Sequence, residues 1–441
     1  MRGSFLRWLR PVLGWALALA LAALAWYLKH PFLFRLRGWE TALLVAGGLG
    51  AGAFVFTRPA TGGWQRLNRA LLGAAFLAVA GLAIHRELAF ARQRADVLAA
   101  TPALQAVGGH FIVGFTDFAA VVPLAERGLV GGLYLTRRNL QGSSLAELSA
   151  AIARLQAMRI DAGLPPLIVA ADQEGGEVSH LSPWLTAMPP LASLAGSEPA
   201  AVIAARAREY GRQQGAELAA LGVNLNFGPV VDLRPADPFP GDRLTRITRR
   251  AIAADPAQVT TVARGYAAGL AEAGVGATLK HFPGLGRVRA DTHFTRASLP
   301  LTPAELAADW RPFREIGGQA AIMVGHVTLP TVDGEHAASH SRPVIQGLLR
   351  QELGYDGLVV TDDLNMGAVY GRGIGRVASE ALAAGADLVL ISYDPDQLFP
   401  ALLGAARAFA DGTIDATDLA ASRRRLAAFF ATRQAARAER R

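Results

Sequence analysis

Cysteine is absent from the 441 residues, so disulfides and thiolate metal sites are excluded. The absence assigns no compartment, because a chain without thiols tolerates either redox state. Charge is missing from three apolar runs near the N-terminus, residues 11–28, 41–56 and 70–84. A soluble amphipathic helix would carry a charged face there. The runs are therefore expected to be membrane helices in contact with lipid, rather than a buried helical hairpin of a soluble domain. Trp8, Trp15, Trp26, Tyr27, Trp39 and Trp64 lie near their ends, as interfacial aromatics do. A small-residue cleavage site is also missing: Trp26 and Tyr27 follow Ala25, and further apolar runs follow them, which argues against a simple signal peptide. Gly48 and Gly52 make a GxxxG spacing, a weak signal of close helix contact.

A basic bias is missing from the rest of the chain. Residues 1–96 hold 12 Lys and Arg against 3 Asp and Glu, while 97–441 hold 32 against 33. The positive excess sits beside the apolar runs, where it would meet lipid headgroups, and nucleic acid is set aside as a partner. The basic residues do not settle orientation. Arg2, Arg7, Arg10, Arg58, Arg66 and Arg69 on one side balance Lys29, Arg35, Arg37, Arg86, Arg92 and Arg94 on the other. The expected organisation is a membrane region over 1–96 followed by a catalytic region over 97–441.

What is present after residue 108 is a repeated alternation. Short apolar runs begin at His110, Gly131, Pro166, Val223, Gly276, Ala320, Gly357 and Ala386, and most are separated by room for one helix, such as 145–162 or 258–273. Eight strands alternating with helices predict an α/β fold, a (β/α)8 TIM-type barrel. A doubly wound open sheet lacks support, since no strand is followed by a G-x-G-x-x-G turn. Asp172, Asp232, Lys280, His281, His326, Asp362 and Asp394 all stand at or just past the C-terminal ends of these runs. In a barrel those ends share one face, where active sites lie, so the residues predict a common polar pocket.

"ADQEGGEV", "KHFPGLGRVRADTH" and "VVTDDLNMGA" resemble the retaining β-N-acetylglucosaminidases of glycoside hydrolase family 3, in their single-barrel bacterial form that recycles peptidoglycan. "RQELGYDGLVVTDDL" and "LGVNLNFGPVVDL" extend the similarity over residues 111–430 and leave the apolar runs unmatched. The K-H-F-P-G…D-x-H combination separates this type from family 3 β-glucosidases, which take their acid/base from a second domain. The resemblance implies a carbohydrate substrate, no cofactor and no metal. It implies Asp362 as nucleophile, His293 as general acid/base and Asp291 as its partner. Lys280, His281, Asp172 and Arg250 fall where the family binds sugar hydroxyls. Three positions depart from the pattern. Leu285 replaces the second His of P-G-H-G, Glu177 stands where Arg often follows E-G-G, and "DDLNMGA" lacks a Glu before its final Gly-Ala.

The residue types suit the chemistry. An ionised carboxylate can stabilise an oxocarbenium-like centre and bond to it. A histidine with an ordinary pKa of about 6.5 can protonate the leaving oxygen near neutrality, and an aspartate can orient it. Gly284 and Gly286 predict a mobile loop around this pair. Asp363, beside Asp362, is the alternative nucleophile, because neighbours at a strand end point to opposite sides. The cluster Asp172-Gln173-Glu174 has a second reading as a helix N-terminus. His336 and His340 raise zinc, without an H-E-x-x-H motif. Competing functions are a β-glycosidase of different sugar specificity, an inactive sugar-binding homologue, and a transporter, which the lack of intramembrane charge disfavours.

Overall fold

The computed structural model describes residues 2–142 and 144–438, and its contacts divide the chain into units Met1–Ala99 and Ala100–Arg441. The first unit is three helices: α1 (Arg2–Trp26), α2 (Glu40–Thr57) and α3 (Gly63–Leu98). The second and third apolar runs lie within α2 and α3, and the first fills α1 from Pro11 and passes its end by two residues. The third helix runs beyond its apolar run because residues 85–98 are rich in Ala, Leu and Arg, good helix formers. Leu44, Leu72, Phe76, Val79 and Ala83 are buried between the helices. A β-carbon on Gly48 would come within 2.6 Å of the Phe76 carbonyl, so the GxxxG spacing marks a real close approach of α2 to α3.

Val12, Leu17, Leu43, Leu49, Phe54 and Leu71 point outward. Lys29, just past α1, bonds Glu40 at the start of α2 and Glu87 within α3 at 3.0 and 2.9 Å, tying the three helices together. By length and composition, α2 and α3 can cross a membrane, whereas the apolar part of the first helix, Pro11–Trp26, is shorter. The expectation of three spans therefore reduces to two candidate spans and one shorter apolar helix. Such helices near an N-terminus suit a membrane anchor or a signal sequence.

The second unit contains all eight expected strands: β1 (Phe111–Gly114), β2 (Gly132–Leu135), β3 (Ile168–Ala171), β4 (Leu225–Asn226), β5 (Thr278–Phe282), β6 (Ala321–Val324), β7 (Val359–Asp363) and β8 (Leu388–Ile391). They form one parallel sheet in the order β4-β3-β2-β1-β8-β7-β6-β5. Parallel bridges Leu225–Gly276 and Val230–Lys280 link the two edges, so the sheet curls into a nearly closed barrel. Ile112, Ile168, Phe227, Met323, Val360 and Leu390 fill its interior, and Phe429 of the last helix, Ala416–Ala438, joins the same cluster.

Helices cover the outside in the expected alternation. Ser144 and Glu147 cap Leu145–Asp161 reciprocally, and Asp255 caps Pro256–Glu272 ahead of a proline at its first position. At the N-terminal ends of β7 and β8, buried Asp387 accepts from Arg350, Arg425 and the Val359 amide. That end of the barrel is built for stability and leaves the other for chemistry.

Candidate active site

At the C-terminal rim, β3 runs into a hairpin, Gln173–Gly175 paired with Val178–Ser179. Asp172-Gln173-Glu174 is therefore not a helix N-terminus. The left-handed glycines Gly175 and Gly176 turn the hairpin, and a side chain on Gly175 would meet the Tyr210 hydroxyl at 2.1 Å. This geometry points Asp172 and Glu174 at Lys280 of β5. Lys280 donates to Asp172, and its Nζ lies 2.6 Å from Glu174 Oε1. Arg250 clasps Glu174 with both sides of its guanidinium, at 2.6 and 3.0 Å, and donates to the Thr245 carbonyl at 2.7 Å. Tyr134 Oη of β2 donates to Asp172 at 2.5 Å and meets His180 Nδ1 at 3.0 Å.

Burial alone would raise the pKa of Asp172, but the Lys280 ammonium overrides it and holds the carboxyl at about 2. Glu174 is lowered too, with burial opposed first by Arg250 and then by Lys280. Lys280 is raised, because Asp172 and Glu174 outweigh its desolvation. All four groups stay charged.

His281, next along β5, is set by Asp232. One oxygen of that carboxylate accepts the His281 ring Nδ1–H at 2.7 Å and its amide at 3.1 Å, and the other accepts the Leu285 amide at 2.7 Å. Leu285 thus serves through its backbone while its side chain is buried. The strand register is irregular at Lys280–Phe282, which re-aims side chains at the rim.

Asp291 and His293 sit on the loop that follows. Asp291 Oδ1 accepts the His293 Nδ1–H at 2.9 Å, the His293 amide at 3.0 Å and the Thr245 hydroxyl at 3.1 Å. Its Oδ2 accepts the amides of Leu244 and Arg243 at 2.7 and 3.0 Å. These bonds overcome burial and press its pKa far below the usual carboxylate range. The loop is docked on the helical turn Gly367–Tyr370 that follows β7: the Gly367 amide donates to the His293 carbonyl at 2.8 Å and the Ala368 amide to the Thr292 carbonyl at 3.1 Å. A β-carbon on Gly367 would strike the Phe294 carbonyl at 2.5 Å, so this approach requires glycine. Gly284 is left-handed at φ +115, and Gly286 packs against the Leu233 carbonyl.

At the end of β7, Asp362 and Asp363 differ completely. Asp363 is buried and saturated by Asn365, Ser392 and Tyr393. Asp362 accepts the Asp363 amide at 2.8 Å. Burial would raise its pKa, yet the imidazoles of His281, His326 and His293 outweigh this and lower it. His326 Nε2 donates to the Asp363 carbonyl at 2.9 Å and its Nδ1 meets Ser339 Oγ at 2.8 Å, so it braces the strand end.

The rim thus gathers Asp172, Lys280 and Arg250 into one cluster and sets His281, Asp291, His293 and Asp362 around it. Of the seven rim residues expected in the pocket, Asp394 departs. It caps the turn Pro395–Gln397 through the Asp396 amide and the Gln397 side chain. Sequence reasoning missed the roles of Glu174, Tyr134 and Thr245. Glu174 and Tyr134 stand at strand ends and were open to the same rule as the others, whereas Thr245 lies in irregular chain and carries no such signal. His336 bonds Asp333, and among the described residues no group of three His, Cys, Asp or Glu is placed to hold a metal.

A parallel barrel with paired carboxylates and an Asp–His couple at its C-terminal rim has the makings of a hydrolase of sugars or their derivatives. Comparison with known proteins makes that class definite. The family described as glycosyl hydrolase family 3 N terminal domain matches residues 112–429. The chain belongs to that family and is a glycoside hydrolase. It is 40% identical over 274 residues to a β-hexosaminidase of Xanthomonas campestris pv. campestris, covering 60% of this chain and 77% of that one. A β-hexosaminidase of Nitrosomonas eutropha is 38% identical over 275 residues, covering 61% and 75%. Among solved structures, a family 3 β-N-acetylglucosaminidase from a Paenibacillus species superimposes with a TM-score of 0.67 at 34% identity, over 75% of this chain and 62% of that one. A β-N-acetylhexosaminidase from Beutenbergia cavernae gives 0.65 at 30%, over 74% and 98%.

Proposed function

We propose that the enzyme is a retaining exo-β-N-acetylglucosaminidase that removes terminal N-acetylglucosamine from peptidoglycan-derived fragments. The observation that carries this reading is the docking of the Asp291–His293 pair onto Gly367 and Ala368, five and six residues beyond Asp362. It supports a reading in which His293 and the Asp362 carboxylate act together just beyond β7, within a single barrel. The names of the relatives support the sugar.

Asp362, ionised, attacks the anomeric carbon as the glycosidic bond breaks, and a glycosyl ester forms. His293, held by Asp291 through Nδ1, passes its Nε2 proton to the departing oxygen. Neutral His293 then takes a proton from water as that water attacks the ester, releasing the sugar and restoring Asp362. Asp172, Arg250, Lys280 and His281 hold ring hydroxyls, with Asp172 and Glu174 also fixing the Lys280 ammonium. The test is a pair of aryl glycosides: the N-acetylglucosaminide is cleaved and the glucoside is poorly cleaved. Rapid denaturation during turnover, followed by mass spectrometry, finds one N-acetylglucosaminyl residue on the Asp362 peptide. Efficient glucoside cleavage would instead favour a family member of different sugar specificity.

The outward apolar side chains of the first unit support membrane attachment. Arg2, Arg7 and Arg10, ahead of the first apolar run, favour the cytoplasm for that end of the helix. If the shorter α1 crosses as well as α2 and α3, a cytoplasmic start leaves the catalytic unit outside, where peptidoglycan fragments arise, whereas two crossings return it to the starting side.

A further inference from the structure

The segment that holds the acid/base loop has little regular structure of its own. It enters its only helical turn, Ile247–Arg250, through Arg246 in the left-handed region at φ +48. A side chain crowds the backbone there, so the conformation needs support. Asp242 supplies part of it, accepting the amides of Arg246 and Ile247 at 2.7 and 2.9 Å. Arg246 Nε also donates to the Arg243 carbonyl at 2.8 Å.

The rest comes from the β3 hairpin, through two carboxylates three residues apart. Glu174 grips Arg250 on the pocket side. Glu177 faces solvent and accepts from Arg249 Nη1 at 2.8 Å and Arg246 Nη1 at 3.1 Å. Both bonds hold its carboxyl below the usual range. An arginine at 177 would repel the same two guanidiniums, so the charges at 177, 246 and 249 form a matched set.

We propose that Glu177 is a positioning residue for proton transfer: by holding Arg246 and Arg249 it steadies residues 242–250, whose amides and Thr245 hydroxyl hold Asp291 and thereby His293. The inference rests on the assignment of His293 as acid/base. Glu177 and its partners are half-exposed, so salt screens the grip and its effect is modest.

The readout is the ratio of kcat for a poor leaving group, a methyl N-acetylglucosaminide, to kcat for an activated nitrophenyl one, using the full chain in detergent. Glu177→Gln lowers this ratio about two- to five-fold with KM little changed. Glu177→Arg combined with Arg246→Glu and Arg249→Glu recovers it. In the unmodified protein, raising salt from about 0.01 to about 0.5 M lowers the ratio, and Glu177→Gln removes that dependence. An unchanged ratio in Glu177→Gln at every salt concentration overturns the inference, as does a change confined to KM, which would make Glu177 a substrate contact. His293→Ala, measured alongside, separates the two levels. If it too leaves the ratio unchanged, the acid/base assignment has failed and the inference falls with it; if only Glu177→Gln leaves it unchanged, the inference alone falls.

Discussion

The carboxylate of Asp363 is bonded to the backbone and side chains of Asn365 and Ser392 and to the Tyr393 amide, while that of Asp362, one residue earlier, accepts the Asp363 amide and lies among three imidazoles. Asp363 is committed to structure, whereas Asp362, the proposed nucleophile, is bonded only to the Asp363 amide among the described residues. Asp362→Ala should therefore cut turnover by roughly 10⁴-fold or more with thermal unfolding little changed. Asp363→Ala should lower stability by about 2–4 kcal/mol through buried donors left unpaired. Steady-state kinetics and calorimetry on both variants check this, and a dead but stable Asp363→Ala protein would reverse the assignment.

Proton donation should show in the leaving group. His293→Ala is expected to slow poor leaving groups by about 10²–10⁴-fold and activated aryl groups far less. Asp291→Ala should follow the same trend more weakly. Gly367→Ala, which pushes against the Phe294 carbonyl, should resemble His293→Ala although it alters no ionisable group. Equal losses on both substrate types would assign the loop a purely structural part.

Acid should unfold the barrel through its depressed carboxylates. Asp172 at about 2, against an ordinary 3.8, and Asp291, lower still, bind protons more weakly folded than unfolded. Their contribution is fully present above the ordinary value and is lost as pH falls through the folded ones. Urea unfolding between about pH 6 and pH 2 should show a stability drop beginning near pH 4. Asp172→Asn should flatten that drop. Because Asp362 is also lowered, the acid limb of kcat/KM should lie below the usual carboxylate range.

Lys280 is the buried cation between two carboxylates. Lys280→Met should destabilise by about 3–5 kcal/mol, since buried Asp172 would lose its cation and face Glu174, which keeps Arg250 as partner. Thermal unfolding at neutral pH measures the loss, and partial recovery at low pH, as one carboxylate takes a proton, would identify its cause.

Much of this arrangement could be read from the chain alone. The eight strands are each a short apolar run, most of them with a polar residue at or just past the end, and burial on both faces of a parallel sheet enforces the apolar run. The site residues at strand ends were legible for the same reason. The hairpin after β3 was not: Asp172-Gln173-Glu174 suits a helix start as well, and only left-handed Gly175 and Gly176 decide otherwise. Nor does anything local pair Glu174 with Arg250, 76 residues away, or bring Thr245 to His293. Those contacts come from loops whose course is set by ion pairs rather than by periodicity.

Orientation across a membrane can be measured directly. Alkaline phosphatase fused after Arg441 should be active if the catalytic unit lies outside, and a fluorescent protein that matures only in the cytoplasm should stay dark. The opposite pattern would place the barrel in the cytoplasm and make imported sugars its substrate.

Asp172, Glu174, Lys280 and Arg250 carry two negative and two positive charges within bonding distance of one another. Their fields largely cancel a few ångströms away, so the pocket floor exerts little long-range pull on an approaching molecule. An uncharged sugar loses nothing by this. It is recognised by the direction of donors and acceptors at contact, and its capture rate is set by diffusion and shape. The Asp362 carboxylate stands outside that balanced cluster, where on the proposed mechanism positive character develops on the anomeric carbon.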